Sequence, residues 1–375
     1  MLLCIDTFQL ITDTFSLRIP DQFIQPLTSS LPIRKFLTEI AHKPVFDVRT
    51  PAEYAQGHLP GAINLPLFSN DERAVIGTIY KQHGRDKAVR AGLKFAGPKL
   101  PELVDQADKE GSKQVLMYCW RGGLRSGSMA WLLGTAGFDV SVLEGGYKSF
   151  RNLLKTIFSE FRFIVISGNT GSGKTDLLHE IRRGGAQVLD LEALACHKGS
   201  AFGSIGETEQ PGTEQFQNDI LFTMISFDAG KPVFIEDESL SIGRVVMPDE
   251  LYAVKNAAPF IEVLTSREER IARLVHIYGN ADHNRLEEGI MRIAKRLGGL
   301  NTKKALEALG NGDLAEVASL LLTYYDKAYH KAVTNKKKEA LFSIPYTFDR
   351  TRQTALEIIQ RVHTYQHNRT SQEFS

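Results

Sequence analysis

The sequence has few cysteines and no long apolar run. Its three cysteines are Cys4, Cys119 and Cys196, and none forms a C-x-x-C pair. This spacing argues against a disulfide framework and a structural zinc site, and it fits a reducing compartment. No stretch approaches the roughly 20 apolar residues of a membrane-spanning helix, and the N-terminus lacks the basic and apolar segments of a signal peptide. We therefore expect a cytoplasmic protein without a structural metal and without a membrane partner.

The sequence also has almost no net charge. Lys and Arg number 45 against 44 Asp and Glu, which gives +1, so no general field attracts a polyanion. Positive charge is instead local, and solvated helix faces are the simpler interpretation of it. One basic group contains Arg285, Arg292, Lys295, Arg296, Lys303 and Lys304, and the other contains Lys327, Lys331 and Lys336 to Lys338.

The length of 375 residues and the order of the apolar segments predict two α/β domains. Alternating strands and helices are typical of a parallel sheet covered by helices. The predicted strands are 45–48, 62–64, 115–118 and 140–143 in the first domain, and one from Phe163, 188–191, 233–236, 260–264 and 342–345 in the second. The predicted helices are 52–56, 126–136, 268–278, 286–297, 314–332 and 354–365. We place the first domain at 1–150, the second at 160–366 and a frayed polar tail at 367–375.

A cysteine begins a glycine-rich loop directly after the predicted strand 115–118. The loop reads C-W-R-G-G-L-R-S from Cys119 to Ser126. A strand, a tight turn and a helix N-terminus direct backbone N–H groups to one point, where they stabilise a thiolate or an oxyanion. An inert buried cysteine is the alternative, but it does not account for the glycines and arginines that follow. The candidate residues around the thiolate are Arg121, Gly122, Gly123, Arg125 and Ser126.

The segments around this loop resemble the rhodanese family of sulfurtransferases. Residues 47–66 read D-V-R-T-P-A-E-Y-A-Q-G-H-L-P-G-A-I-N-L-P, and residues 143–147 read L-E-G-G-Y. The resemblance implies a rhodanese-like fold and a persulfide on Cys119. The spacing from Cys119 to Arg125 is one residue longer than in the usual sulfurtransferase loop and is similar to that of phosphatases with the same fold. This length implies a phosphorus compound, or an atom larger than sulfur, as the ligand.

A second anion-binding loop follows the strand that begins at Phe163. Residues 168–175 read G-N-T-G-S-G-K-T and match G-x-x-x-x-G-K-[S/T], the P-loop pattern. In this motif the backbone amides surround a diphosphate, the lysine neutralises its terminal charge and the threonine can ligate Mg²⁺. The motif predicts a diphosphate but does not distinguish ATP from other diphosphates. The predicted binding residues are Gly168, Gly171, Ser172, Gly173, Lys174 and Thr175.

Polar residues after the other strands of the second domain are candidates for a cleft wall. Three acidic residues at 236–238 end a strand, where the partner of a metal-bound water belongs. Residues 189–203 read L-D-L-E-A-L-A-C-H-K-G-S-A-F-G, and we weigh a hydrogen-bonding role and a functional role for the histidine equally. The candidates are Asp190, Glu192, His197, Lys198, Ser200, Glu236 and Asp237.

Together these segments resemble the bacterial tRNA 2-selenouridine synthase family. The resemblance also includes E-Q-P at 209–211 and E-D-E-S-L-S-I-G at 236–243. It implies that selenium from selenophosphate replaces the sulfur of 2-thiouridine at the tRNA wobble position. It further implies a geranyl group, transferred from geranyl diphosphate to that sulfur as an intermediate step. The implied partners are tRNA and these two co-substrates, with no tightly bound cofactor, and the basic helices become the expected tRNA contacts.

Two other functions remain compatible with the residues. One is an ATP-dependent sulfurtransferase or small-molecule kinase in which Arg267, Arg270 and Arg273 form a lid that grips phosphate. ATP turnover without tRNA would favour it. The other is a regulatory module with an inactive rhodanese domain, against which the cysteine and the two arginines of the first loop argue.

Overall fold

The computed structural model describes residues 28–335 and 340–373, and the chain divides into two compact units between Arg151 and Asn152. Cys4 and Lys336 to Lys338 lie outside the described residues. No helix within the described ranges is long and apolar enough to cross a membrane.

The first unit contains a five-stranded sheet in which all pairs are parallel, in the order β1-β5-β4-β2-β3. Its strands are β1 (Thr28–Leu31), β2 (Val45–Asp47), β3 (Ile63–Asn64), β4 (Gln114–Tyr118) and β5 (Asp139–Leu143). Its helices are α1 (Ile33–Glu39), α2 (Pro51–Gln56), α3 (Asn70–His83), α4 (Arg85–Ala96), α5 (Leu100–Asp108), α6 (Leu124–Thr135) and α7 (Gly146–Asn152). Because parallel strands end at the same edge, the segments that follow β2, β4 and β5 meet there.

The second unit repeats this architecture with the strand order β12-β11-β6-β8-β7, again all parallel. The strands are β6 (Arg162–Ser167), β7 (Gln187–Leu189), β8 (Pro232–Glu236), β11 (Phe260–Leu264) and β12 (Phe342–Pro345), and β9 (Ser241–Ile242) and β10 (Val245–Val246) form an antiparallel ribbon. The helices among the strands are α8 (Lys174–Arg183), α9 (Leu191–Ala195), α10 (Thr213–Ile225) and α11 (Asp249–Ala257).

Further helices follow in the C-terminal part of the second unit: α12 (Arg267–Tyr278), α13 (His283–Leu297), α14 (Gly299–Gly310), α15 (Leu314–Asn335) and α16 (Thr351–Glu373). A separate apolar cluster joins α13, α14 and α15 through residues such as Ile290, Ala305 and Leu321. Helix α16 continues to Glu373, so the tail that we predicted to fray at 367 is helical over most of its length. Its sequence has neither glycine nor proline, which are the residues that end helices.

The sequence patterns missed several elements. Helices α3, α4 and α5 lie in a segment to which the patterns assigned no structure, and β1 lies in the unassigned lead-in. The predicted strand 188–191 ends at Leu189, because Asp190 begins helix α9 and its carboxylate accepts the N–H of Ala193 at 2.9 Å. An aspartate in this position favours a helix start over a continued strand.

Candidate functional site

The Cys119 loop lies at the carboxyl end of β4, where the sheet edge and the N-terminus of α6 meet. Cys119 is 3% exposed. Its Sγ accepts the backbone N–H of Gly123 at 3.3 Å and lies 3.2 Å from the Ser126 hydroxyl. The arrangement surrounds the sulfur with hydrogen-bond donors, as the glycine-rich sequence predicts.

These donors lower the pKa of the Cys119 thiol. Burial acts to raise the pKa, but hydrogen bonds from the Ser126 hydroxyl and from the N–H groups of Ser126, Arg121 and Gly123 outweigh it. Such bonds favour the charged form of the group that accepts them. The largest influences that lower this pKa are hydrogen bonds from the loop itself, and a contribution from the guanidinium groups of Arg121 and Arg125 stays a prediction.

Arg125 instead forms an ion pair with Glu53. Its two terminal nitrogens donate to the Glu53 carboxylate at 2.6 and 3.2 Å, while the Arg121 side chain is exposed. Burial would raise the pKa of Glu53, but the bonds from Arg125 hold it below its usual value. Glu53 also closes the capping box of α2 with Thr50, so helix α2 fixes the arginine at one side of the cysteine loop. The T-P-A-E spacing marks this cap in the sequence, but not its distant arginine partner.

The turn after β5 packs directly on the cysteine loop. Gly122 and Gly146 have φ angles of +64° and +61°, and a Cβ on Gly146 would lie 2.3 Å from the Cys119 carbonyl oxygen. The N–H of Tyr147 donates to that carbonyl at 2.8 Å. The L-E-G-G-Y segment therefore braces the loop, and its second glycine leaves no space for a side chain.

The D-V-R part of the rhodanese-like segment is structural. Arg49 is 1% exposed and forms a salt bridge of 2.6 Å with Asp47. Its guanidinium also donates to the Gly57 carbonyl and lies 3.9 Å from the centroid of the Tyr147 ring. These contacts tie the end of β2 to the turn that braces the cysteine loop.

The P-loop lies between β6 and α8, as predicted. Gly171 and Gly173 adopt φ angles of +79° and +82°. The Lys174 ammonium donates to the Gly168 carbonyl at 3.0 Å, which holds the cation across the mouth of the loop. The Ser172 hydroxyl is buried and has no hydrogen-bond partner. The loop thus presents an ammonium, a hydroxyl and a helix N-terminus to an anion.

Three carboxylates lie beside the P-loop. Glu192 accepts the Thr175 hydroxyl at 2.8 Å, Glu236 accepts the N–H groups of Leu191 and Glu192, and one Glu236 oxygen is buried without a partner. Burial raises the pKa of each, to about 7 for Glu238. Repulsion from Glu192 adds to the shifts of Glu236 and Glu238, and repulsion from Asp190 adds to that of Glu192. The repulsion between these carboxylates makes the cluster a suitable environment for a cation.

Two of the predicted cleft residues have other partners. Asp190 caps α9 and lies 3.0 Å from His179 Nε2. Asp237 accepts the Ser167 hydroxyl at 2.7 Å and forms a salt bridge with the buried Lys255. The sequence predicted a carboxylate cluster at 236–238 and chose Glu236 and Asp237 from it as cleft residues. The structure instead places Glu238 with Glu192, because both carboxylates lie close to Gly199.

The loop after α9 holds the remaining candidates. His197 is 7% exposed, and a Cβ on Gly203 or on Gly243 would lie within 2.8 Å of its ring. Burial lowers the pKa of His197, so the ring is neutral, and its Nδ1 has no partner. Lys198 forms a salt bridge of 2.9 Å with Glu207. The Ser200 hydroxyl accepts the N–H of Phe202 at 3.2 Å.

The three arginines of the proposed phosphate lid are engaged within the protein. Arg270 makes two bonds to Asp326, at 2.7 and 2.9 Å. Arg267 donates to the Ser319 carbonyl at 2.8 Å, and Arg273 pairs with Asp176. These contacts fix the helices that surround the P-loop and do not favour a mobile phosphate lid.

Within the described ranges, no group of three or more His, Cys, Asp or Glu side chains has the arrangement of a metal site. Mg²⁺ is usually held by one or two protein ligands together with substrate phosphates and waters. The Thr175 hydroxyl and the Glu192 carboxylate beside it could supply these one or two protein ligands.

Comparisons with known proteins extend over both units. Residues 34–153 match the family model of the rhodanese-like domain, and residues 161–357 match the model described as the tRNA 2-selenouridine synthase AAA domain. A tRNA 2-selenouridine synthase of Nitrosomonas europaea is 40% identical over 63% of this chain and 61% of its own length. The enzyme of Marinobacter nauticus is 34% identical over 82% of this chain and 92% of its own length. The enzyme of Psychromonas ingrahamii is 32% identical over 80% of this chain and 90% of its own length. These matches confirm the predicted fold class, a rhodanese-like domain followed by a P-loop α/β domain with C-terminal helices.

Proposed function

The chain belongs to the tRNA 2-selenouridine synthase family, and we propose that it replaces the sulfur of 2-thiouridine in tRNA by selenium. The selenium donor in this proposal is selenophosphate, and a geranylated 2-thiouridine made from geranyl diphosphate is the intermediate. The main support is that one chain combines a hydrogen-bonded thiolate loop with a diphosphate loop. A tRNA substrate assigns the reaction to the cytoplasm.

The P-loop serves the geranyl transfer. The sulfur of 2-thiouridine attacks the first carbon of the geranyl group, and the carbon–oxygen bond to the diphosphate breaks. The diphosphate leaves with the electron pair, and the base loses its N3 proton to solvent. Lys174 and the loop N–H groups stabilise the charge that grows on the leaving group. Thr175 and Glu192 would hold Mg²⁺, which supplies further charge neutralisation when bound.

The Cys119 loop serves the selenium transfer. Selenium in selenophosphate already has the oxidation state of selenide, so a perselenide on Cys119 would require an oxidant. Attack of the thiolate on phosphorus requires none: a sulfur–phosphorus bond forms, the phosphorus–selenium bond breaks and selenide leaves. Selenide then adds to C2 of the base and geranylthiol departs, while water hydrolyses the phosphocysteine. The phosphatase-like loop length supports this route over a persulfide-like one.

Nucleoside mass spectrometry of tRNA tests the proposal in a strain that lacks its own 2-selenouridine synthase. The wild-type chain should produce 2-selenouridine. Cys119→Ala should accumulate geranylated 2-thiouridine without 2-selenouridine. Lys174→Ala should leave 2-thiouridine unmodified, because diphosphate departure precedes selenium transfer.

The matched control is Lys231→Ala, which removes an exposed lysine of the second unit and should behave as wild type. Full selenation by Cys119→Ala would contradict the role of the thiolate. Consumption of ATP in proportion to product, in a purified reaction, would favour the ATP-dependent sulfurtransferase instead.

A further inference from the structure

An exposed tryptophan lies next to the reactive cysteine of the first unit. Trp120 follows Cys119 directly in the chain and is 37% exposed, whereas Cys119 is 3% exposed. The side chain of the following residue, Arg121, is exposed as well. An aromatic ring beside a guanidinium group is a combination with which proteins bind unpaired nucleobases, so the surface at the cysteine loop is suited to such a base.

The Trp120 ring is held in place by a buried aromatic neighbour, Tyr147. The two ring centroids are 5.6 Å apart with an interplanar angle of 48°, and the N–H of Lys148 donates to the Trp120 carbonyl at 3.0 Å. Tyr147 is itself fixed by the Arg49 guanidinium, 3.9 Å from its ring centroid, and by the Phe150 ring at 6.2 Å. Because the tryptophan is already ordered, a ligand that stacks on it immobilises little further side-chain freedom.

The selenium transfer in the proposed function requires one free face on the target base. Selenide adds to C2 perpendicular to the plane of the pyrimidine ring, and in a stacked strand the neighbouring bases cover both faces of that ring. The base must therefore leave its stack before it reacts, as in other enzymes that act on a nucleobase. An aromatic ring that covers the face opposite to the attack restores the lost stacking.

We propose that Trp120 stacks on one face of the unstacked 2-thiouridine base and holds the base at the Cys119 loop. The inference rests on the proposed function and adds the residue that binds and orients the base. Stacking on an aromatic ring tolerates different bases, because every base has a flat face. Trp120 therefore supplies affinity and orientation, and the distinction between 2-thiouridine and uridine depends on other contacts.

Binding of two anticodon hairpins to the full chain tests this assignment. One hairpin carries 2-thiouridine at the wobble position, and the other has an abasic nucleotide there. Trp120→Ala should weaken the intact hairpin about 5- to 150-fold and leave the abasic hairpin unchanged. Trp120→Phe keeps an aromatic ring and should recover most of the affinity. The matched control Trp131→Ala removes a tryptophan that is 58% exposed on α6, and it should change neither hairpin.

Tryptophan fluorescence reports the stacked base directly. The chain has two tryptophans, so in Trp131→Phe all tryptophan emission comes from Trp120. The intact hairpin should quench this emission and the abasic hairpin should not, while in Trp120→Phe neither hairpin should quench Trp131. Peptide-resolved alkylation of Cys119 reports the state of the loop, and its pH profile in Trp120→Ala should match that of wild type.

The inference is overturned if Trp120→Ala weakens both hairpins equally, if Trp131→Ala loses as much affinity for the intact hairpin, or if the emission of Trp120 does not change. A shifted Cys119 profile in Trp120→Ala would assign the tryptophan to the structure of the loop and would overturn it as well. None of these measurements requires selenium or a diphosphate. Failure of selenation and failure of the stacking assignment are therefore separate results.

Discussion

Replacing Gly146 by alanine should displace the Cys119 loop without altering any group that we assign to the chemistry. A Cβ on Gly146 would lie 2.3 Å from the Cys119 carbonyl oxygen, 2.5 Å from the Gly122 nitrogen and 2.7 Å from the Arg121 nitrogen. All three are backbone atoms, so no side chain can rotate away to relieve the overlap. The loop itself must move.

The expected loss of stability has two parts. The left-handed backbone at Gly146, with φ of +61°, costs an alanine about 1–2 kcal/mol. Overpacking against fixed atoms adds about 1–3 kcal/mol, for a total of roughly 2–5 kcal/mol. Gly111→Ala is the matched control, because Gly111 has a φ of +69° and no atom within 4 Å of the added carbon. It should lose only the first part.

Urea unfolding of both variants gives the two stability losses. Peptide-resolved alkylation across pH gives the reactivity of Cys119 separately from that of the other cysteines. Because the Arg121 N–H is one of the donors that lower the pKa of Cys119, its displacement in Gly146→Ala should move alkylation to higher pH. Equal stability losses in the two variants, together with an unchanged Cys119 profile, would refute the steric argument.

Three further predictions follow from the described contacts. Ser126→Ala should raise the pKa of Cys119 and slow alkylation near neutral pH, because the hydroxyl is the largest influence that lowers this pKa. Glu238→Gln should stabilise the fold at pH 8 by about 1–3 kcal/mol. Burial raises the pKa of Glu238 to about 7 in the folded protein. Its carboxyl therefore does not reduce stability below pH 4.5, and the free energy of unfolding falls as pH rises from there towards 7. Reversing Lys295 and Lys304 to glutamate should weaken tRNA binding and reduce the salt slope by about 0.9 or less per phosphate contact.

Each of these predictions has a control. Ser126→Thr retains the hydroxyl and should keep the pKa of Cys119 lowered. A pKa shift as large as in Ser126→Ala would show that the hydroxyl hydrogen bond is not the cause. Glu238→Gln and wild type should converge in unfolding free energy at low pH; a constant difference would exclude ionisation. Reversal of the exposed Lys81 and Lys94 changes the net charge equally, and an equal loss of tRNA affinity would show that the effect is not local.

The local sequence pattern was enough to locate the two anion-binding loops and most strands of the two parallel sheets. Strands β11 and β12 begin and end at the predicted residues, because each is a short segment rich in apolar residues. The helices of residues 70–108 were missed although α5 has Leu103 and Ala107, four residues apart, on a buried face, which is the spacing of an amphipathic helix. Strand β1 was missed because its main support is the pairing with β5, more than a hundred residues away.

The sequence by itself determined the chemistry of the two loops, since a strand, glycines and a helix start form an anion site from adjacent residues. Only the tertiary structure decided what the neighbouring charges do. Arg125 is paired with Glu53, 72 residues away, and Arg270 with Asp326, 56 residues away. Such partners depend on how distant segments pack, and a local pattern of residue types contains no information about that packing.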